Sequence, residues 1–506
     1  MLDSTSPTRL PDEVLNSNNP ALECHVPTIN AFLLHARTKK SYLDDRIAQL
    51  ESSLNDLYSE RDALDCEIQR HAATLSPLRR TPPEIISHIF TLALTPDDDE
   101  KWYFQESAPW ALSATCARWR SIALSPVFWT TISNGVDNFD ISKLETLLSR
   151  SGSLPLRIRF WTDNEKDMNQ GEIRMVDLLA KHCARWEHLL IGGAEELYAR
   201  IQHVRNQLPM LRTLEFDLFF DIPPDTESAL DIFSHAPKLE EVSSNMVFWR
   251  DPIPLALPWP QLSKYQTAID WTALPSLASA TNLVECTLDT ARDAGVVPDH
   301  IQRVSFPRLI RLSVSSTALL ACLDTPILME LYFHHCEKCN ENDFDTTTFL
   351  NALPRTVQKL VLDIKDTTIA ILDLTSIMGA LPAIKYFGFM EDLSADVVCD
   401  FLRTSAPQAP AWERVALVVC EGVGPPGADV FSILLETLET MDWEGAARRL
   451  RTLTFHINSV LNSTPSPSIR NRLAVLQERG VDIEFDQTYS HFHGNSVPEF
   501  FCIDHD

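Results

Sequence analysis

Glycine is scarce, with 14 residues in 506, and that leaves little material for the glycine-rich loops that cradle phosphates. No apolar run approaches the roughly 20 residues a membrane-spanning helix needs. The N-terminus, MLDSTSPTRLPDEVLNSNNP, lacks the charged-then-apolar pattern of a secretion signal. The expectation is a protein of the cytoplasm and/or nucleus. Basic residues are also short: 43 Lys and Arg stand against 70 Asp and Glu, a net charge of −27. Such a field repels nucleic-acid phosphates and anionic membranes, so neither is expected as a partner.

Cysteines number 11, an odd count scattered from Cys24 to Cys502. That distribution suggests no disulfide framework and, in a reducing compartment, reads as small buried hydrophobes and free thiols. No nucleophile elbow, His-Glu-x-x-His or paired-carboxylate motif occurs, so no catalytic residue and no cofactor are assigned. One stretch has metal-ligand spacing, His334-His335-Cys336-Glu337-Lys338-Cys339. A single Cys-x-x-Cys supplies two of the four ligands a structural zinc needs. Unless the C-terminus folds back with His491, His493, Cys502 and His505, these are loop residues, and no metal is expected.

What is present is ordinary globular material, 44% hydrophobic and 22% charged, in a chain long enough for two or three domains. Residues 78–132 read as a small helical module. Pro82 and Pro83 suit a first helical turn, where a missing N–H costs nothing, with Thr81 placed to cap it and Glu84 three residues later. Ile85, Ile86, Ile89, Phe90, Leu92 and Leu94 supply more apolar surface than one short helix can bury. A second helix is predicted over Pro109–Leu124, where Leu112, Cys116, Trp119 and Ile122 recur at intervals of three and four. Ser125-Pro126 stops it, and Val127-Phe128-Trp129 opens a third segment. Between the first two, Thr95–Ala108 reads as a loop with the acidic run Asp97–Glu100.

This stretch resembles an F-box, in the divergent form common in large fungal families. The resemblance covers about 55 of the 506 residues. It implies docking on the Skp adaptor of a cullin–RING ubiquitin ligase core, through the positions that match the family's opening: Pro82, Glu84, Ile85, Ile89 and Phe90. Thr81 stands where the family usually has Leu, which removes roughly one buried side chain from that contact.

Ahead of it, Leu43, Ile47, Leu50, Leu54, Leu57, Leu64, Ile68, Leu75 and Leu78 share one alternating four-and-three spacing, broken by Arg61 and His71. This is a heptad seam. Two readings stand: a homodimer through residues 43–78, or a helix folded back on its own chain with Leu34, Leu43 and Leu50 covered.

From residue 133 a unit recurs: an apolar residue, two positions, an apolar residue, one position, an apolar residue. Instances begin at Trp186, Leu211, Leu239, Leu262, Leu283, Leu309, Leu328, Val357, Ile384, Trp412 and Leu450, most of them just after a proline. Their starts lie 19 to 38 residues apart, largely the range of leucine-rich repeats. The last two apolar positions alternate as one face of a short strand must. Helices are predicted between strands over Glu172–Cys183, Ser228–Ser234, Phe344–Leu353 and Val430–Met441.

The expected chain is therefore α/β. A flexible tail (1–25) precedes a long, coiled-coil-like helix (26–77), and a three-helix F-box (78–132) follows. Residues 133–506 form a degenerate leucine-rich-repeat solenoid with a parallel sheet on its concave face. Strand positions between or past the inward residues would meet an unknown protein target: Glu215, Asp217, Ser313, Ser315, Tyr332, His334, Asp363 and His456. The function these features imply is that of a ligase substrate receptor that selects and does not catalyse. The alternative is a non-ligase scaffold that keeps the F-box fold.

Overall fold

The computed structural model describes residues 20–94, 102–133, 141–162, 168–193, 195–218, 231–244, 256–269, 271, 274–290, 303–334, 346–363, 377, 381, 383–405, 413–420, 430–441, 450–458, 467–478 and 482–486. The chain divides into two compact units, Met1–Phe90 and Thr91–Asp506. The boundary falls inside the module that the sequence treats as one piece.

The first unit is dominated by α1, Val26–Thr74, an uninterrupted helix of 49 residues with Pro27 in its first turn. Pro77 ends the run by driving Ser76 to an extended ψ of 131°. No residue of α1 is buried, and every residue from Arg37 to Leu75 is exposed. Among the described residues, Leu34, Leu43 and Leu50 are 71%, 49% and 58% exposed. After a 3-10 turn at Pro77–Arg79 comes α2, Pro83–Leu94.

The second unit opens with α3, Trp102–Thr115, and α4, Ala117–Ala123. The single helix expected over Pro109–Leu124 is thus two, and Pro109 lies inside the first. The break is at Cys116, whose backbone is extended (φ −158°, ψ 169°), and whose Sγ accepts the Trp119 N–H at 3.4 Å to start α4. The loop expected over Thr95–Ala108 becomes helical from Trp102 onward, and residues 95–101 lie outside those described. Ser125-Pro126 does stop α4, and a 3-10 turn at Pro126–Trp129 leads into β1, Thr131–Ser133.

Trp129 is fully buried, and its Nε1–H donates to the Ala123 carbonyl at 2.6 Å. Its ring meets Trp110 edge-on at 5.0 Å. The Arg150 guanidinium, at the end of α5 (Ile141–Arg150), lies 4.2 Å from the Trp129 ring and 4.9 Å from that of Trp110. Arg150 Nη1 is buried without a hydrogen-bond partner among the described residues, and the indole faces receive the cation instead.

The rest is a parallel sheet. Its strands are β1, β2 (Leu156–Trp161), β3 (Trp186–Gly193), β4 (Thr213–Leu218), β5 (Glu241–Ser244), β6 (Lys264–Ile269) and β7 (Glu285–Thr290). A short strand β8 (Val304–Ser305) is followed by β9 (Arg311–Val314), β10 (Leu323–Asp324), β11 (Glu330–His334) and β12 (Lys359–Asp363). The series ends with β13 (Tyr386–Leu393), β14 (Arg414–Cys420), β15 (Thr452–Asn458) and β16 (Asp482–Asp486). Fourteen strands pair in chain order, while β8 and β10 form a separate two-stranded pair. All of the repeated apolar units land on strands; β3 begins with its unit at Trp186, and every later strand of the series begins two residues after its unit does. Strands β1, β2 and β16 lie outside the repeat as read from sequence.

Register follows from backbone chemistry at each strand entry. Ser263 and Lys264 N–H groups both donate to Glu240 O; Val284 and Glu285 both donate to Ser263 O. Ile310 and Arg311 do the same to Val284 O, and Met329 and Glu330 to Ile310 O. One carbonyl per strand thus accepts twice. On one face Leu214, Val242, Leu288, Leu312, Leu331, Leu360, Phe387, Val415 and Leu453 are buried as one continuous core. Crossover helices include Gln170–Ala180, Thr346–Ala352, Ala395–Ser405, Val430–Thr440 and Pro467–Gln477. The helix expected over Ser228–Ser234 is instead a turn where it is described, at 232–235. Four of the described cysteines, Cys183, Cys286, Cys322 and Cys399, are buried, whereas Cys24, Cys66 and Cys116 are exposed.

Candidate functional site

Two surfaces carry the residues that the sequence singles out. The first is α2. Its apolar residues fall into two stripes, and only one is used internally. Ile86 and Phe90, one turn apart, are 1% and 2% exposed, whereas Ile85, Ile89 and Leu92 are 51%, 46% and 62% exposed. The second set sits at i, i+4 and i+7, a single line of branched aliphatics turned to solvent. Pro82 and Glu84 are exposed beside its start. Phe90, expected to reach a partner, offers no surface; its i−4 neighbour Ile86 shares its burial. The Thr81 hydroxyl donates to the Pro77 carbonyl at 3.2 Å, tying the entry of α2 to the preceding turn. In the second unit, Leu124 and Val127 are also exposed, on either side of the Ser125-Pro126 stop.

The second surface is the sheet face opposite the leucine core. Its first row is the opening residue of each strand. In register, Glu241, Lys264, Glu285, Arg311, Glu330 and Lys359 stand side by side with alternating sign. Arg311 and Glu285 approach to 3.0 Å, Lys264 and Glu285 to 3.6 Å, and Lys359 and Glu330 to 3.6 Å. Opposite charges directly across a ladder support pairing.

Two and four residues further along, the face becomes a polar cluster. His334 Nε2 hydrogen-bonds Asp289 Oδ1, and His334 Nδ1 lies 3.1 Å from Ser313 Oγ. With Nε2–H given to the carboxylate, Nδ1 accepts from the serine hydroxyl. The Tyr332 ring stacks on the His334 ring at 5.4 Å, and its hydroxyl donates to Asp363 Oδ2 at 3.3 Å. The Thr290 N–H donates to Ser315 Oγ at 2.8 Å. Strands β7, β9, β11 and β12 are neighbours, so the fold brings together Ser313, Ser315, Tyr332, His334 and Asp363 from the sequence-derived set.

Ser313 and Ser315 are buried, however, and serve as internal hydrogen-bond partners more than as contacts for a target. Tyr332, His334 and Asp363 keep partial exposure. Asp289 belongs to the cluster and was missed, although it stands one position past the last inward residue of its unit, as Asp363 does in its own. Glu215 and Asp217 lie on β4 and His456 on β15, each separated from the cluster by two strands. From β12 onward the same face turns apolar: Val361, Met390, Ala416 and Val418 are buried, with Tyr332 and Tyr386 packed against them. Desolvation there pushes the Tyr386 phenol well above its ordinary range.

At the opposite end of the row, burial and the Arg157 cation hold the His188 imidazole below its ordinary range, while Glu187 and Glu241 act the other way. Of the stretch His334–Cys339 only His334 is among the described residues, and His491, His493, Cys502 and His505 are not. Among the described residues no cluster of three or more His, Cys, Asp and Glu could hold a metal. No helix among them is long and apolar enough to cross a membrane. Compared with known families and with curated sequences, the chain matches no family model and no individual protein.

Proposed function

We propose that this chain is a substrate-receptor subunit of an SCF-type cullin–RING ubiquitin ligase. In this reading Ile85, Ile89 and Leu92, flanked by Pro82 and Glu84, dock on the Skp adaptor. The sheet domain is a degenerate leucine-rich-repeat solenoid whose strands line a concave face. That face holds a protein target, with Tyr332, His334 and Asp363 as the contacts nearest one another. The chain selects, the ligase core carries the chemistry, and the complex works in the cytoplasm or nucleus.

The observation that carries this reading is the second stripe of α2. Three large aliphatics in a line face water, and burying each in a partner is worth about 1.5–3 kcal/mol. It stands beside the F-box resemblance of residues 78–132. The test is affinity capture of the full chain from cells, probing for the Skp adaptor. Ile85→Asp together with Ile89→Asp should abolish capture while leaving the melting temperature near that of the parent, since both side chains are already in solvent. Undiminished capture by that double variant would falsify the docking. A second reading, a non-ligase scaffold, is favoured by Thr81 and by the burial of Phe90, which together subtract two contacts from the family's set. It predicts that the parent chain captures no adaptor at all.

A further inference from the structure

We infer that α1 is one half of a parallel, two-stranded coiled coil formed with a second copy of this chain. A helix earns most of its stability in water from packing an amphipathic face, not from propensity. Here 49 residues are helical and none is buried.

The seam extends further toward the N-terminus than the leucines alone suggest. Taking Leu43 as a d position, the a positions are Val26, Leu33, Lys40, Ile47, Leu54, Arg61, Ile68 and Leu75. The d positions are Ile29, Ala36, Leu43, Leu50, Leu57, Leu64 and His71. Leucine fills four successive d positions, and β-branched isoleucine occupies the a positions at 47 and 68. That combination favours two parallel strands, and a charged a residue specifies register at some cost in stability.

Flanking charges fit a second copy of the same sequence. In a parallel pair a g residue faces the e residue five positions later on the other helix. Lys39 then faces Asp44 of the partner subunit, and Arg46 faces Glu51 of the partner subunit. The one like-charged pairing, Glu60 with Asp65 of the partner subunit, lies beside Arg61, whose a position sets its guanidinium against Glu60 of the partner subunit. Lys40 is already engaged with Asp44 of its own helix at 2.8 Å, so that carboxylate would be shared between two cations. An antiparallel pair would set a residues against d residues and bring Asp44 near Asp65 of the partner subunit.

The test is the mass of the full chain in solution, by sedimentation equilibrium at micromolar concentration. The expected value is twice the protomer's 57.2 kDa. Leu50→Glu with Leu57→Glu should return it to one protomer while the thermal unfolding of the sheet stays in place, because neither side chain is buried. For orientation, Leu43→Cys in a Cys24→Ser, Cys66→Ser and Cys116→Ser background that does not itself cross-link should form a covalent dimer on mild oxidation. A parallel pair sets the two new thiols side by side, whereas an antiparallel pair places them tens of ångströms apart, at about 1.5 Å per residue. A single-protomer mass, or a dimer indifferent to the two glutamates, overturns the pairing. A dimer in which Leu43→Cys does not cross-link overturns the parallel arrangement. Neither result depends on whether α2 binds an adaptor.

Discussion

Trp129 shows how one side chain joins two kinds of structure. It ends the helical segment, receives the Arg150 cation on its face, and gives its N–H to Ala123. His188 is the residue whose chemistry reports most directly on folding. Its folded-state affinity for a proton is lowered by burial and by Arg157. His182 is lowered as well, by burial and then by Arg185 and Lys181. As pH falls past about 6.5 the unfolded chain takes up these protons first. Stability is therefore full above that pH and drains as acidity increases toward the lowered folded value. Thermal melts should show the parent losing melting temperature between about pH 7 and pH 5. His188→Gln should flatten that slope, and an unchanged slope would assign the acid sensitivity elsewhere.

At the scale of elements, α2 carries one buried and one exposed apolar stripe on a single helix. Phe90→Ala should cost about 3–5 kcal/mol, read by urea unfolding, because it empties a fully buried site. Ile89→Ala, on the exposed stripe, should leave the unfolding midpoint nearly unmoved. Equal costs would mean that both stripes are packed. The two stripes were not separable from sequence, where Ile85, Ile89 and Phe90 all read as one docking set; burial is decided by neighbours the helix itself does not name.

Strands were far more legible. From β4 onward, each strand that carries the repeat begins two residues after its apolar unit opens, since an apolar opening and an alternating pair are local signals. Three residues at β1 carry too little pattern to see, and β16 hides its Ile483 and Phe485 among acids. The break at Cys116 was illegible because the three-and-four spacing runs straight through it. Only the extended backbone, with its sulfur cap, divides the helix. The His334 cluster was half readable. Position within the unit picked out four of its members on β9, β11 and β12, but Asp289 is joined from β7, two strands away in the order.

At the scale of the whole molecule, the −27 net charge acts against compactness through self-repulsion. Raising ionic strength from about 0.01 M to 0.15 M shortens the screening length from about 30 Å to 8 Å. The expected result is a higher melting temperature in the saltier buffer; a fall would mean that the attractive pairs along the strand entries outweigh the general repulsion. The same field biases partner choice at every distance beyond contact, favouring basic proteins over acidic ones.

The twice-accepting carbonyl at successive strand entries from β5 to β15 has an evolutionary corollary. Where peptide groups alone form the joints of a stacked array, no particular side chain is needed to hold one layer to the next. Inheritance then has only to preserve greasy residues on the inside and prolines at the corners, while everything facing outward is at liberty to drift. Paralogues built on this plan should be recognisable by rhythm long after they have ceased to be recognisable by letters, and each could greet a different visitor.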